Sequence, residues 1–476
     1  MTEKQLSFER LARAGVVSAC AAAPINNVEW LQVLPGVPLS TLFLAGAALL
    51  LIAHITATGR VYVPPVGRVI ISLTILPFLL ALTLGVPAAL RSHPLGINYE
   101  NYLEVASGRI ANFVLLSIFL IGAFSIARHP NRRTDRRTLL RGMVRAYWIV
   151  AGIVIAIGLW QAGSFYFDVP YPFPDTRSHL HSVPAFMRNL VPGRLTSITA
   201  EPSYFAPLVI DFAILSVFFA RGWRLLALVA VAGLTLMLSF SAGGYLNAAI
   251  LAAVFVGTRT LAVAVRRRVR LTAVAAIVLM FAVVVFLFAG PLSPYVGLVT
   301  SRSGTALVPE AHGRAFMVLM PFYWLSDSTL VNMIFGHGPK SYALIGQVMT
   351  MPASGLPVYV TSNNLYSDLV WEHGVLGLIA VVALLTVLAF KGLATYLKTP
   401  ESTVPVLLVA HLSASSLYRA DFYSLRFFCI LIIIALAVTA SHVGQRCYAV
   451  RAGSGNRGRV DGERSPAQHP ALETGD

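Results

Sequence analysis

The chain reads as an all-α polytopic membrane protein with about twelve transmembrane helices, and three observations predict that class. It is 57% hydrophobic, with a mean hydropathy of +0.73. Only 12% of its residues are charged, half the share of about 25% in ordinary soluble domains. Apolar runs of roughly 17–25 residues recur along nearly its whole length, each long enough to cross a bilayer as a helix. These runs are too long for the strands of a membrane barrel, and they lack the alternation of apolar and polar residues that such strands need.

Spans are expected at 13–33, 38–57, 67–87, 109–127, 143–162, 203–220, 224–241, 243–264, 271–289, 374–390, 403–418 and 427–443. The first is weak, because Arg13 interrupts it. "VVSAC" (Val16–Cys20) superficially resembles a lipoprotein cleavage box. Arg13 leaves it about six apolar residues where a signal peptide needs at least seven, so the span is expected to stay in the chain. Pro202 is tolerated in the first turn of a helix and marks the start of the sixth span. Gly374 and Gly377 open the tenth, where small residues allow close helix packing.

The formal charge is +16, and its placement decides what it means. With the N-terminus inside, about 26 of the 36 Lys and Arg residues fall on the cytoplasmic side and about 10 outside, as the positive-inside rule requires. "RHPNRRTDRRTLLR" (Arg128–Arg141) and "RRRVR" (Arg266–Arg270) are the main inner runs. Orientation therefore accounts for the basicity, and a nucleic-acid partner is not expected. Both termini are expected in the cytoplasm. Cys20, Cys429 and Cys447 fall in spans or the cytoplasmic tail, so no outer loop can carry a disulfide.

Residues 1–450 form one transmembrane domain and 451–476 a tail expected to be disordered. The substantial connections lie outside: one loop at about 163–202 and a longer one at about 291–373. There is no phosphate-binding Gly-rich loop of the nucleotide-dependent kind. Neither is there the pairing of interrupted helices that marks many transporters. The asymmetry predicts work done at the outer membrane face. Within the long loop, "GRAFMVLMPFYWL" (Gly313–Leu325) suits a helix at the interface or packed on the bundle, with Tyr323 and Trp324 at headgroup level.

Four stretches carry candidate chemistry. In "GRLTSITAEPSYFA" (Gly193–Ala206), Glu201 stands where a helix dipole favours negative charge. Arg194 is the residue type for bidentate phosphate binding. The Glu can act as general base or orient a hydroxyl, or it can merely start a helix. "TSNNLYSDLVWEHGVLG" (Thr361–Gly377) sets Asn363, Asn364, Tyr366 and Asp368 just above the membrane. "FGHGPKSY" (Phe335–Tyr342) offers a tight turn whose amides can hold an anion, or a plain turn, with Lys340 as one of few cations in its loop. "SLYRADFYSLRFF" (Ser416–Phe428) carries Arg419, Asp421 and Arg426, and a buried Arg–Asp pair can be purely structural. Within the spans, Asp211 and His411 are functional suspects or partners for hydrogen bonds between helices. "HLH" (His179–His181) with Asp175 lacks the third cluster that a metal site needs.

In this order, these stretches resemble the O-antigen polymerase and O-antigen ligase superfamily of bacterial envelope glycosyltransferases. "RLTSITAEPSYFA" is similar to the family's Arg…Pro-Asn/Ser-Tyr-Phe-Ala segment, and "LSFSAGGYLNAAI" (Leu238–Ile250) to its Ser/Thr-x-Ser-Arg/Ala-Gly junction. "GRAFMVL" and "IFGHGPKSY" resemble its Gly-Arg…Gly-x-Gly-x-x-Tyr/Phe series. Asn363-Asn364, nine residues and then Gly374-Val-Leu-Gly377 resemble the ligase signature His-Asn-x9-Gly-x-x-Gly.

The resemblance implies a GT-C-like helical bundle with a large periplasmic loop in the bacterial inner membrane. It implies an undecaprenyl-pyrophosphate-linked glycan as donor, catalysis without a metal or other cofactor, and a chain-length regulator as partner. Arg194 and Arg314 would bind the departing pyrophosphate, as cations at a developing charge do. Asn363 stands where the ligase signature has its His, and Asn cannot act as a base. That departure and the "AEPSYFA" form favour a repeat-unit polymerase over a ligase that transfers glycan to lipid A core, or over a lipid-linked sugar flippase. In the polymerase reading Glu201, Arg194 and Arg314 are catalytic. Asn363, Asn364, Tyr366, Lys340, Arg419 and Tyr204 bind substrate.

Overall fold

Every residue from Phe427 to Ile434 is fully buried. A helix that is apolar on all sides belongs in the middle of a bundle, and the last helix is that central element. The structure, a computed structural model, describes residues 3–25, 32–34, 37–59, 61–127, 133–173, 194–199, 201–267, 314–347, 362–398 and 403–455.

The helices in chain order are α1 (Glu3–Ala22), α2 (Leu39–Thr58), α3 (Pro65–Leu80), α4 (Val86–Ser92), α5 (Tyr102–Ala127), α6 (Arg133–Phe167) and α7 (Pro202–Leu215). There follow α8 (Gly222–Leu238), α9 (Ala242–Arg267), α10 (Arg314–Ser326), α11 (Leu330–Phe335), α12 (Leu365–Lys398), α13 (Val404–Ser415) and α14 (Leu425–Gly455). A small antiparallel ribbon pairs Gln32–Leu34 with Val37–Pro38.

The all-α class holds, and twelve spans are not confirmed. Among the described residues, six helices are long and apolar enough to cross a bilayer: Leu39–Thr58, Pro65–Ser92, Tyr102–Ala127, Arg136–Phe167, Ala242–Ala262 and Leu365–Leu397. Four further expected runs form shorter apolar helices, Pro202–Phe218, Gly222–Leu238, Val404–Ser415 and Leu425–Ala440. Two polar segments folded into the bundle help to set those ends. Residues 194–199 precede α7, and 416–424 separate α13 from α14. The weak first run becomes α1, whose Glu3, Lys4, Glu9, Arg10 and Arg13 make it too polar to be a span. Its apolar stripe of Ala12, Val16, Ala19 and Cys20 is buried against α2 and α6. The run at 271–289, much of both outer loops, and 456–476 lie outside the described residues.

α10 forms where an apolar, aromatic-rich helix is expected. Tyr323 is exposed, but Trp324 is buried, edge-on to Trp371 of α12. Trp324 therefore anchors α10 to the bundle.

Three glycines bring separate backbones together. α3 passes through a π-helical segment, Ala81–Gly85, into α4. A β-carbon on Gly85 would lie 2.3 Å from the carbonyl oxygen of Gly336. One on Gly336 would lie 2.4 Å from the Glu372 carbonyl, and one on Gly374 2.4 Å from that of Ile334. Gly336 (φ 77°, ψ −170°) and Gly374 (φ 67°, ψ −169°) hold backbone conformations open in practice only to glycine. Gly374 therefore breaks α12, where the sequence predicts a contact between helices.

Candidate functional site

The segment that opens α7 turns back into the bundle. Leu195, Thr196, Ser197 and Thr199 are fully buried, although they form no helix or strand, so their polar groups need partners. Gln161 of α6 supplies three of them. Its Oε1 accepts from the amides of Thr196 (2.9 Å) and Ser197 (2.8 Å), and its Nε2 donates to Thr196 Oγ1. Ser197 Oγ donates to the carbonyl of Val154 at 2.6 Å. Val154 lies thirteen residues before the end of α6 at Phe167, about 20 Å along the helix axis. Leu195 and Arg194 are tied to the end of α8, through the Leu238 carbonyl (3.1 Å) and the Ser239 carbonyl (3.2 Å).

Glu201 is the N-cap of α7 with extended backbone. Its carboxylate does not cap the helix, and Oε2 instead accepts from Ser203 Oγ at 2.9 Å. Three residues on, the Tyr204 ring lies beneath Arg419, whose guanidinium carbon is 3.2 Å from the ring centroid.

Arg419 begins a buried chain of charges. It donates through Nη2 and Nε to Asp421 Oδ1 (2.5 and 3.2 Å), and Asp421 Oδ2 accepts from Arg426 Nη1 (3.2 Å). Arg426 Nε continues to Asp211 Oδ2 of α7 at 2.7 Å, an oxygen that also accepts from the Tyr147 hydroxyl (2.6 Å). Arg426 Nη2 donates to His411 Nε2 (2.7 Å), and the Asn247 amide meets His411 Nδ1 (2.9 Å) and the Tyr418 hydroxyl (3.1 Å). Asp211 and His411, the two suspects inside the apolar runs, thus share Arg426. Burial pushes the Asp421 carboxyl up, but Arg419 and Arg426 outweigh it and hold the group below the usual carboxylate range. Burial raises the Tyr418 phenol to about 12.

The loop 416–424 also borders α12. Asn364 caps that helix: its Oδ1 accepts from the amides of Tyr366 (2.9 Å) and Ser367 (3.1 Å), and its Nδ2 donates to the Leu417 carbonyl (2.9 Å). The Tyr366 hydroxyl donates to the Ser413 carbonyl at 3.1 Å. Both side chains, expected to bind substrate, are engaged in positioning α12 on α13. Asn363 occupies left-handed backbone (φ 48°), which Asn tolerates better than most residues.

On its other side the loop meets a second cluster. The Tyr423 hydroxyl bonds His373 Nε2, and Arg109 of α5 lies over the Tyr423 ring at 4.6 Å. Arg109 Nη1 reaches both oxygens of the buried Glu372 at 3.3 Å. Lys340 sits in left-handed backbone (φ 69°) within electrostatic reach of Arg109, Glu372 and Asp368. Burial first, and then the charge of Arg109, depress its ammonium below the ordinary value, against the pull of the two acids.

The glycine turn does not present its amides to solvent. His337 and Gly338 donate theirs to the carbonyls of Trp371 (2.9 Å) and Glu372 (3.0 Å), acceptors that the break at Gly374 frees from the helix ladder. His337 stacks on Trp371 at 3.8 Å, and burial lowers its imidazole to about 4.

Tyr204 thus packs on Arg419 of the loop 416–424, Asn364 bonds that loop from α12, and Tyr366 bonds the end of α13. Arg194, by contrast, is tied to the end of α8, Glu201 to Ser203, and Lys340 lies near Arg109, Glu372 and Asp368. Arg314 opens α10, and its side chain lies outside the described residues, as do Asp175, His179 and His181. Among the described residues, no group of three His, Cys, Asp or Glu side chains is placed to hold a metal. Sequence reasoning gave no role to Arg109, Glu372 or Gln161. Arg109 is the first residue of an apolar run and reads as a boundary charge. Glu372 shows only once α12 is seen to begin at Leu365, which sets Asp368 and Glu372 one turn apart on one face. No family model matches the chain, and no curated protein matches it in sequence.

Proposed function

We propose that the chain is a membrane glycosyltransferase that joins undecaprenyl-pyrophosphate-linked repeat units into exopolysaccharide or O-antigen at the periplasmic face of a bacterial inner membrane. One observation carries this reading. Segments far apart in sequence, which the resemblance marks separately, meet around one short loop at one end of an apolar helical bundle: α7 through Tyr204 on Arg419, and α12 through Asn364 on Leu417. A site at the end of lipid-crossing helices suits a substrate whose tail stays in the bilayer and whose sugar does not.

In this reading Arg194 and Arg314 hold the pyrophosphate, Glu201 positions the acceptor, and Asn363 orients sugar. Arg419 acts by holding Tyr204, and Lys340 faces the substrate. A chain-length regulator is the partner to seek.

The test is elongation by purified protein given a lipid-linked repeat unit, with and without lipid A core. A ladder that grows without core supports the polymerase. A single product that requires core makes the chain a ligase, and movement of the lipid-linked sugar with no new bond makes it a flippase. Glu201→Gln and Arg314→Ala should fold and lose chain lengthening; intact chain length in both would refute these assignments.

A further inference from the structure

Asp368 and Glu372 stand one turn apart at the start of α12, and their circumstances differ. Glu372 is buried and held by Arg109, with Tyr423 in bonding reach. Asp368 is partly exposed. Its Oδ1 accepts from Ser362 Oγ, and its Oδ2 takes no bond among the described residues. The Lys340 ammonium likewise makes no hydrogen bond or ion pair among the described residues, and it is half-buried close enough to feel Asp368. The neighbouring Ser367 donates Oγ to the Val318 carbonyl at 2.8 Å. That bond docks α10 on this turn of α12, one helical turn from Arg314. Asp368 thus carries a free accepting oxygen between two cation-bearing segments of the large loop.

Resting on the polymerase reading, we propose that Asp368 takes the proton from the acceptor sugar's hydroxyl, with Lys340 facing the oxygen of the departing diphosphate. The acceptor O–H bond breaks and its proton goes to Asp368 Oδ2. The oxygen's electron pair forms the new bond to the donor's anomeric carbon. The bond from that carbon to the diphosphate breaks, its electron pair leaves with the lipid diphosphate, and Lys340 meets the charge that develops. Asp368 then returns its proton to water. A single displacement of this kind inverts the anomeric configuration.

The competing bases fit less well. Glu201 also has one oxygen on a serine hydroxyl, and what sets Asp368 apart is that Lys340 and Arg109 act on it. Glu372 is buried under Arg109, and Asn363 carries no basic group. Among the described residues, the charged and titratable groups that face Asp368 are Lys340, Arg109, Glu372 and Tyr342.

The experiment uses the full chain in detergent with an undecaprenyl-diphosphate-linked repeat unit, and measures elongation rate and donor binding separately. Asp368→Asn should lower the rate about 100-fold or more, the scale of a lost general base, while donor affinity stays within about threefold. Elongation at the wild-type rate in Asp368→Asn overturns the assignment and leaves the polymerase reading standing. Wild-type protein that binds donor and never lengthens it overturns both. If Asp368→Asn does not fold, Ser362→Ala decides. Removing that hydrogen bond should move the acid limb of the pH–rate profile to higher pH, and an unmoved limb overturns the proposal. The anomeric configuration of the product must be inverted; retention overturns it as well.

Discussion

The Arg419 guanidinium lies 3.2 Å from the centroid of the Tyr204 ring, although 215 residues separate the two in sequence. The same guanidinium is held by Asp421, and through Arg426 the chain of charges continues to Asp211 of α7. Tyr204 and Asp211 belong to one short helix, so the start of α7 is clamped at two depths by the loop 416–424 and the first turn of α14.

The clamp rests on the ring. Tyr204→Phe keeps the ring beneath the cation and should cost less stability in detergent than Tyr204→Leu. Tyr204→Leu should cost about 0.5–2 kcal/mol, the range of a cation–π contact, and should lower elongation as the start of α7 loosens.

Removing one partner of the deeper pair is costlier. Asp211→Asn leaves Arg426 buried without its carboxylate and should destabilise the protein by about 3–5 kcal/mol. A melting temperature within a degree or two of wild type would contradict the role given to this network.

Acid should weaken the turn that docks on α12. An unfolded histidine titrates near pH 6.5, whereas burial lowers folded His337 to about 4. Between those values the unfolded chain binds the proton and the folded chain does not. Stability is therefore intact above pH 6.5, falls as pH drops toward 4, and levels off below it. At 1.36 kcal/mol per unit the full effect is about 3 kcal/mol. His337→Phe, which keeps a ring on Trp371, should flatten this part of the pH dependence of unfolding.

Gly374→Ala should fail more severely than Gly377→Ala. The first puts a β-carbon 2.4 Å from the Ile334 carbonyl oxygen at a glycine-only φ/ψ, a backbone cost of about 1–3 kcal/mol before the clash is counted. Gly377 has no such backbone constraint, but its added β-carbon would lie 2.2 Å from the β-carbon of the buried His373, so Gly377→Ala should also destabilise the protein, by the clash alone. Yield and monodispersity on gel filtration would rank the two variants.

Composition and periodicity alone determined the class of this protein and most of its helices. Burial of apolar surface in lipid is local and roughly additive, so a run of twenty apolar residues announces a helix wherever it lies. Local chemistry also marked the start of α7 at Pro202 and the polar richness of Thr361–Asp368 and Ser416–Arg426. Tertiary structure decided what those polar residues do. Asn364 and Tyr366 are engaged in holding α12, Gln161 secures a segment 35 residues away, Gly374 breaks a helix instead of packing one, and the amides of His337 and Gly338 close on carbonyls that this break exposes. A polar group in an apolar bundle must find a partner, and which partner depends on segments brought together across hundreds of residues. That is why Arg109 read as a boundary charge until Glu372 was beside it, and why the free oxygen of Asp368 is visible only in the folded chain.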